Sequence, residues 1–131
     1  MTRTRSAVCA VSTLLVVMAG SACRGNNPEE DVAYTIETGG NAASGRAVIE
    51  NRNCGSCHTI PGVRSARGLV APPLFWFSRR TFIAGEVPNT PANLIQWVRE
   101  PQAIEPRTAM PALGLSEQEA RDVAAYLYTL R

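Results

Sequence analysis

Apolar residues fall into three patterns along the chain. Near the start they run almost unbroken from Ala7 to Ala19, interrupted only by Ser12 and Thr13. At the far end Ala120, Val123, Ala124, Leu127 and Leu130 recur at spacings of three and four, which puts them on one buried face of a helix. Ser116-Glu-Gln-Glu119 in front of them reads as a capping box. Between these ends the apolar residues are shorter groups among prolines and glycines. Leu94, Trp97 and Val98 share a face of a helix that Thr90 caps, Pro91 opens and Pro101 stops. Val48 and Ile49 give the apolar side of a shorter helix from about Ser44, read as its cap, to Asn51. Pro61 to Pro88, with its paired Pro72-Pro73 and the aromatic cluster Phe75-Trp76-Phe77, is expected to be irregular. No strand pattern stands out, so the fold class predicted is all-α, short helices joined by turns.

The unbroken run has a different meaning. Arg3 and Arg5 precede it, and Gly20-Ser21-Ala22 and Cys23 follow. That is the basic start, apolar middle and small-residue cleavage site of an export signal over residues 1–22. A spanning helix needs about 20 apolar residues, so the run is short for one, although an uncleaved anchor is the alternative. Small residues before Cys23 also resemble a lipobox, with Gly20 where leucine is usual, and make Cys23 a candidate for lipidation. Residues 23–43 are polar and without period. They read as a flexible tether with a mean reach of roughly 25 Å. The remaining 44–131 would be one domain, too small to bury a large core of its own.

Charge is informative once the signal is set aside. The basic residues are 13 arginines, with no lysine. Without Arg3 and Arg5, eleven arginines face eleven acidic residues, all of them after Cys23. A near-neutral domain gives no support for nucleic-acid binding and no strong steering field for a charged partner.

The chemistry is concentrated in Cys54-Gly-Ser-Cys57-His58. Two cysteines at this spacing lie about one helical turn apart, so both thiols can add to the vinyl groups on one edge of a haem. The adjoining histidine is then carried beneath the iron. A structural zinc site would need four ligands, and outside the signal the chain offers only these three and Cys23. A dithiol redox pair is expected beside a βαβ pattern, which is absent. His58 is the only histidine, so a second histidine ligand from this chain is excluded. Met1 and Met18 lie in the signal, which leaves Met110, 52 residues after His58 in a loop before the last helix. A lone methionine can simply fill a gap in a core. Beside a haem it is the candidate for the second axial ligand, and a thioether raises the reduction potential.

Cys54-x-x-Cys57-His58, Pro72-x-Leu74, Met110-Pro111 and Ala125-Tyr126-Leu127 together resemble the class I, mitochondrial-type cytochrome c family over about Ser44 to Arg131. The resemblance implies helices and loops wrapped around one covalently bound haem c, with His58 and Met110 on the iron. It implies that Pro72, in a segment ending at Leu74, offers its carbonyl to the His58 ring. Ala71 stands where the family has glycine. It further implies crossed first and last helices, with Gly45 against Tyr126. A narrower resemblance lies in Arg79-Arg80-Thr-x-x-Ala84-Gly85, Pro88-Asn89-Thr90-Pro91-x-Asn93-Leu94, Trp97 and Pro101-Gln102-Ala103. These are similar to the cytochrome c domain fused to subunit II of some bacterial haem–copper oxidases. That similarity implies that Arg79, Arg80 and Trp97 approach the haem propionates, the alternatives being a solvated charged pair and a core tryptophan. Trp76 is expected to pack near the haem. The copper domain of such subunits needs two cysteines and two histidines upstream, and this chain has no such segment.

The expectation is therefore a monohaem electron carrier rather than an enzyme in isolation. It would be exported, periplasmic or on the outer face of the cytoplasmic membrane, and lipid-anchored. Its partner would be a membrane redox protein such as a terminal oxidase or a quinol-oxidising complex. The rival readings are a haem subunit of a larger oxidoreductase and a haem-based ligand sensor.

Overall fold

The computed structural model describes residues 38–131. The export signal read over 1–22, Cys23 and the tether up to residue 37 lie outside the described residues. Three α-helices organise the rest: α1, Ala42–Asn51; α2, Pro91–Arg99; and α3, Glu117–Tyr128. Single 3-10 turns at Cys54–Ser56, Phe77–Arg79 and Pro101–Ala103 interrupt the connections. The named strands among the described residues form a hairpin of β1, Phe82–Ile83, and β2, Val87–Pro88. Its antiparallel register pairs Phe82 with Pro88 and Ile83 with Val87. Two residues per strand are too few to show an alternation in sequence, which is why no strand was predicted there.

Helix α1 opens at Ala42, two residues earlier than predicted. Asn41, not Ser44, is its cap: Asn41 is extended and its side chain accepts the Ser44 N–H at 3.0 Å. Thr38 to Asn41, from the stretch read as tether, pack against α3. Thr38 is fully buried, the Arg121 guanidinium donates to its carbonyl, and the Asn41 N–H donates to Asp122 Oδ1 at 2.7 Å. A second bond to the same Asp122 oxygen comes from Gln118 Nε2 at 3.0 Å.

The first and last helices cross closely because Gly45 lacks a side chain. A Cβ there would stand 1.9 Å from the Asp122 carbonyl oxygen, so the backbones touch. What a side chain at Gly45 would meet first is thus the main chain of Asp122 and Val123. Tyr126 lies one turn on, where its hydroxyl donates to the Pro61 carbonyl at 2.6 Å. Burial pushes its phenol pKa up.

Helices α2 and α3 form as their caps and stripes predict. Thr90 accepts the Asn93 N–H, Pro91 takes the first helical position, and Leu94 and Val98 are buried. Ser116 and Glu119 close both bonds of the capping box. Ala120, Val123, Ala124, Leu127 and Leu130 are all buried. Burying a leucine-sized side chain contributes about 1.5–3 kcal/mol, so this stripe is a main source of stability. The buried face of α3 is wider than the stripe and runs unbroken from Asp122 to Tyr128. The far end of α3 is fastened by the 77–80 turn. Leu130 O accepts from Ser78 N and Oγ, and Tyr128 Oη donates to Asn89 Oδ1. Asn89 in turn donates to the carbonyls of Phe77 and Arg80.

Candidate functional site

The pentapeptide follows α1 through a sharp change of direction. Asn53 is in the left-handed region, at φ 56°, a conformation asparagine tolerates better than most residues. The 3-10 turn Cys54–Ser56 then forms, and the N–H groups of Cys57 and His58 both donate to Cys54 O. Cys54 and Cys57 are free thiols about a turn apart, as their spacing predicts. Burial pushes the Cys54 thiol pKa up, so it stays neutral against apolar walls.

The segment that follows folds back over this turn. Thr59 and Arg67 form an antiparallel bridge. Gly68 N donates to Gly55 O, Ala71 N to Cys57 O, and Leu74 N to Thr59 O at 2.8 Å. A Cβ on Gly68 would lie 2.4 Å from the Cys57 carbonyl carbon, so only glycine lets the two stretches approach this closely. The wrapping delivers the Pro72 carbonyl to His58 Nδ1, 2.7 Å away. A carbonyl can only accept, so the ring proton sits on Nδ1 and Nε2 keeps its lone pair. That is the arrangement of a histidine prepared to bind a metal.

His58 forms part of the wall of a cavity of about 60 Å³ lined by all three helices and the loops between them. Cys54 and Met110 also line it. The remaining walls are hydrocarbon or aromatic: Ile49, Ile60, Leu74, Phe77, Leu94, Trp97, Val98, Leu113, Leu115, Val123 and Leu127. A more open groove between α2 and α3, lined by Ile95, Arg99, Glu117 and Arg121 among others, holds none of the pentapeptide. Among the described residues no three His, Cys, Asp or Glu side chains gather as a metal cage.

The structure thus brings Cys54, His58, Leu74, Trp97 and Met110 onto one cavity, with Cys57 next to His58 in the chain and Pro72 hydrogen-bonded to its ring. Arg79 and Arg80 do not line it. Arg79 ends the 3-10 turn in an exposed position. The Arg80 guanidinium donates to the Pro73 carbonyl and lies 5.3 Å from the centre of the Phe77 ring. Partial burial lowers its pKa. Trp76 is the clear departure from expectation: it is 62 % exposed, whereas Phe77, 5 % exposed, is the aromatic on the cavity wall. Trp76 has φ 49°, and this left-handed step turns its ring outwards as Phe77 turns in. Leu113 and Leu115 were not singled out in the sequence. Their only signal is two leucines between Met110 and the capping box.

The residues fit the prosthetic group that the pentapeptide implies. One thiol, Cys54, an imidazole with its lone pair available and a thioether share an apolar cavity, and the second thiol, Cys57, adjoins His58 in the chain.

The comparisons with known proteins agree with this geometry. The cytochrome c family model matches residues 42–131. Cytochrome c oxidase subunit 2 of Alkalihalophilus pseudofirmus is 36 % identical over 91 residues, which is 69 % of this chain and 26 % of the relative. Cytochrome c oxidase subunit 2 of Bacillus sp. strain PS3 is 31 % identical, and that of Bacillus subtilis 30 %, over 94 residues with the same shares. The chain spans about a quarter of the length of these curated relatives. No solved structure matches it. With its cavity, its pentapeptide and the match across all three helices, the chain belongs to the cytochrome c family, whose members carry haem c.

Proposed function

We propose that this chain is a single-haem electron carrier of a bacterial respiratory chain, passing electrons to or within a terminal oxidase system. Cys54 and Cys57 would hold the haem covalently, with His58 and Met110 as its axial ligands. The observation that carries this reading is the His58 ring, fixed by Pro72 O at 2.7 Å, on the wall of an apolar cavity shared with Cys54 and Met110. Haem c, when bound, supplies a one-electron ferric–ferrous couple. The chain's own residues do the rest. Pro72 keeps the His58 proton on Nδ1 and so keeps the other nitrogen basic. Met110 offers a soft sulfur, which favours the reduced state. The aliphatic walls exclude water. Trp97, on the wall, and Arg80, beside wall residue Phe77, are the groups that would meet the propionates, with Arg79 next to them.

The N-terminal 22 residues would direct export and Cys23 would carry a lipid, placing the domain in the periplasm or on the outer face of the cytoplasmic membrane. No helix among the described residues is long and apolar enough to cross a membrane. A quinol-oxidising complex is the natural class of donor for such a carrier. A second reading is favoured by the relatives, which are named as oxidase subunits. In it the chain is the haem subunit of a larger oxidoreductase, and copurification with a catalytic subunit would support it.

The test is expression in a bacterium that attaches c-type haem, followed by a pyridine haemochrome spectrum and a haem-to-protein ratio. One haem c per chain is expected, and Cys54→Ala/Cys57→Ala should carry none. A purified protein without a c-type spectrum would overturn the proposal.

A further inference from the structure

Met110 sits in a weakly reinforced part of the described chain. Among the described residues no backbone-to-backbone hydrogen bond involves residues 109–115. The main chain of Met110 is held by two side chains instead. Its N–H donates to Thr108 Oγ1 at 3.2 Å, and its carbonyl accepts from Gln102 Nε2 at 2.7 Å. Pro111 follows and has no N–H to offer.

Gln102 is placed for this task by its neighbour. Pro101 is fully buried and opens the 3-10 turn at the end of α2. Ile104 N and Glu105 N both donate to Pro101 O, which locks the turn. Gln102 therefore stands on a fixed pivot and reaches eight residues forward, closing the loop that Met110 ends. Its side chain is exposed and adds nothing to the core.

We propose that Gln102 is a positioning residue. Its amide clamps the Met110 carbonyl and so keeps the thioether at the sixth coordination position of the haem iron. This rests on the reading of Met110 as the sixth ligand. A neutral hydrogen bond of this kind shifts an opening equilibrium by about two- to tenfold. Without it, Thr108 alone holds the methionine's main chain and the position opens more often.

The test is carbon monoxide association with the reduced holoprotein, for wild type, Gln102→Leu, Gln102→Glu and Met110→Ala. Neither replacement at 102 can donate at neutral pH, and both nearly match glutamine in size. Carbon monoxide binds only when the thioether has left, so its rate follows the open fraction. Both Gln102 variants should bind about two- to tenfold faster than wild type. Met110→Ala should bind fastest. If Met110→Ala is fast while both Gln102 variants match wild type, the clamp is refuted and the ligand reading stands. A lowered urea midpoint with an unchanged carbon monoxide rate refutes it equally, because that is the mark of a general structural role. If Met110→Ala binds no faster than wild type, the ligand reading itself falls.

Discussion

The two sides of the cavity are built by different means. On the His58 side the chain doubles back on itself. Main-chain bonds join Gly68 to Gly55, Ala71 to Cys57 and Leu74 to Thr59, and two glycines let the strands touch. On the Met110 side residues 109–115 have no main-chain bond to another described residue, and Gln102, Thr108 and Arg52 hold them by side chains. Main-chain bonds in a packed segment open together, whereas single side-chain bonds open one at a time. The difference teaches that one wall is part of the fold and the other is a strap laid over it. A histidine on the first wall would be held by the fold itself, and a methionine on the second would be freer to move.

The largest effect is expected from breaking the rigid side. Gly68→Ala drives a methyl into the Cys57 carbonyl, 2.4 Å away, where backbone faces backbone and neither can move aside. Overpacking of this kind costs about 3 kcal/mol. Urea unfolding should show a loss of that order, with a lower yield of protein carrying haem. A Gly68→Ala protein as stable as wild type would show that the wrap is looser than its bonds suggest.

Met110→Ala should act on function and spare assembly. Cys54 and His58 lie on the other wall, with Cys57 beside His58 in the chain, so haem attachment should proceed at the wild-type yield. Loss of the thioether should lower the reduction potential, measured by redox titration, because the soft ligand that favours ferrous iron is gone. A parallel loss of attached haem would mean that the strap is part of the fold after all.

Acid should loosen the strap before the wrap. Arg52, at the end of α1, donates to the Leu113 carbonyl of the strap and to Glu119 Oε1 at 2.8 Å. The Arg52 bond, with those of the Ser116 cap, holds the Glu119 carboxyl down at about 2, from an ordinary value of 4.5. A depressed carboxyl stabilises the fold fully above its unfolded value, and that stabilisation is lost as pH falls through the folded value. The melting temperature of wild type should therefore fall between pH 4.5 and about 2 more steeply than that of Glu119→Gln. Parallel curves would remove Glu119 from the acid response.

Much of this could be read in the residues, and the failures share a cause. Caps, heptad-like stripes and the pentapeptide are local patterns, so α2, α3 and the place of the candidate site were legible. Pro72 and Leu74 came only through the family resemblance, since no local rule links a proline carbonyl to a histidine fourteen residues before it. The start of α1 was misread because Asn41 and Ser44 are both good caps, and contact with α3 decides between them. Gln102 carries no local signal, because its partner is a main-chain carbonyl and no side-chain pattern marks it. The same limit explains Phe75-Trp76-Phe77, where three apolar rings in a row cannot say which one faces inwards.

That ambiguity yields the smallest effect. Trp76 holds a left-handed φ of 49° and is mostly exposed. A bulky residue in that conformation costs about 1–2 kcal/mol, whereas asparagine visits it more readily. Trp76→Asn therefore relieves strain and gives up only the partial burial of the indole beside Phe75, whose ring centre is 6.0 Å away. The two terms oppose each other, and the net change in stability should stay within about 1 kcal/mol. Since Trp76 does not line the cavity, the visible spectrum and the carbon monoxide rate should not move. A changed spectrum would instead mean that the outward turn at Trp76 holds Phe77 in place, and would tie this exposed ring to the rigid wall.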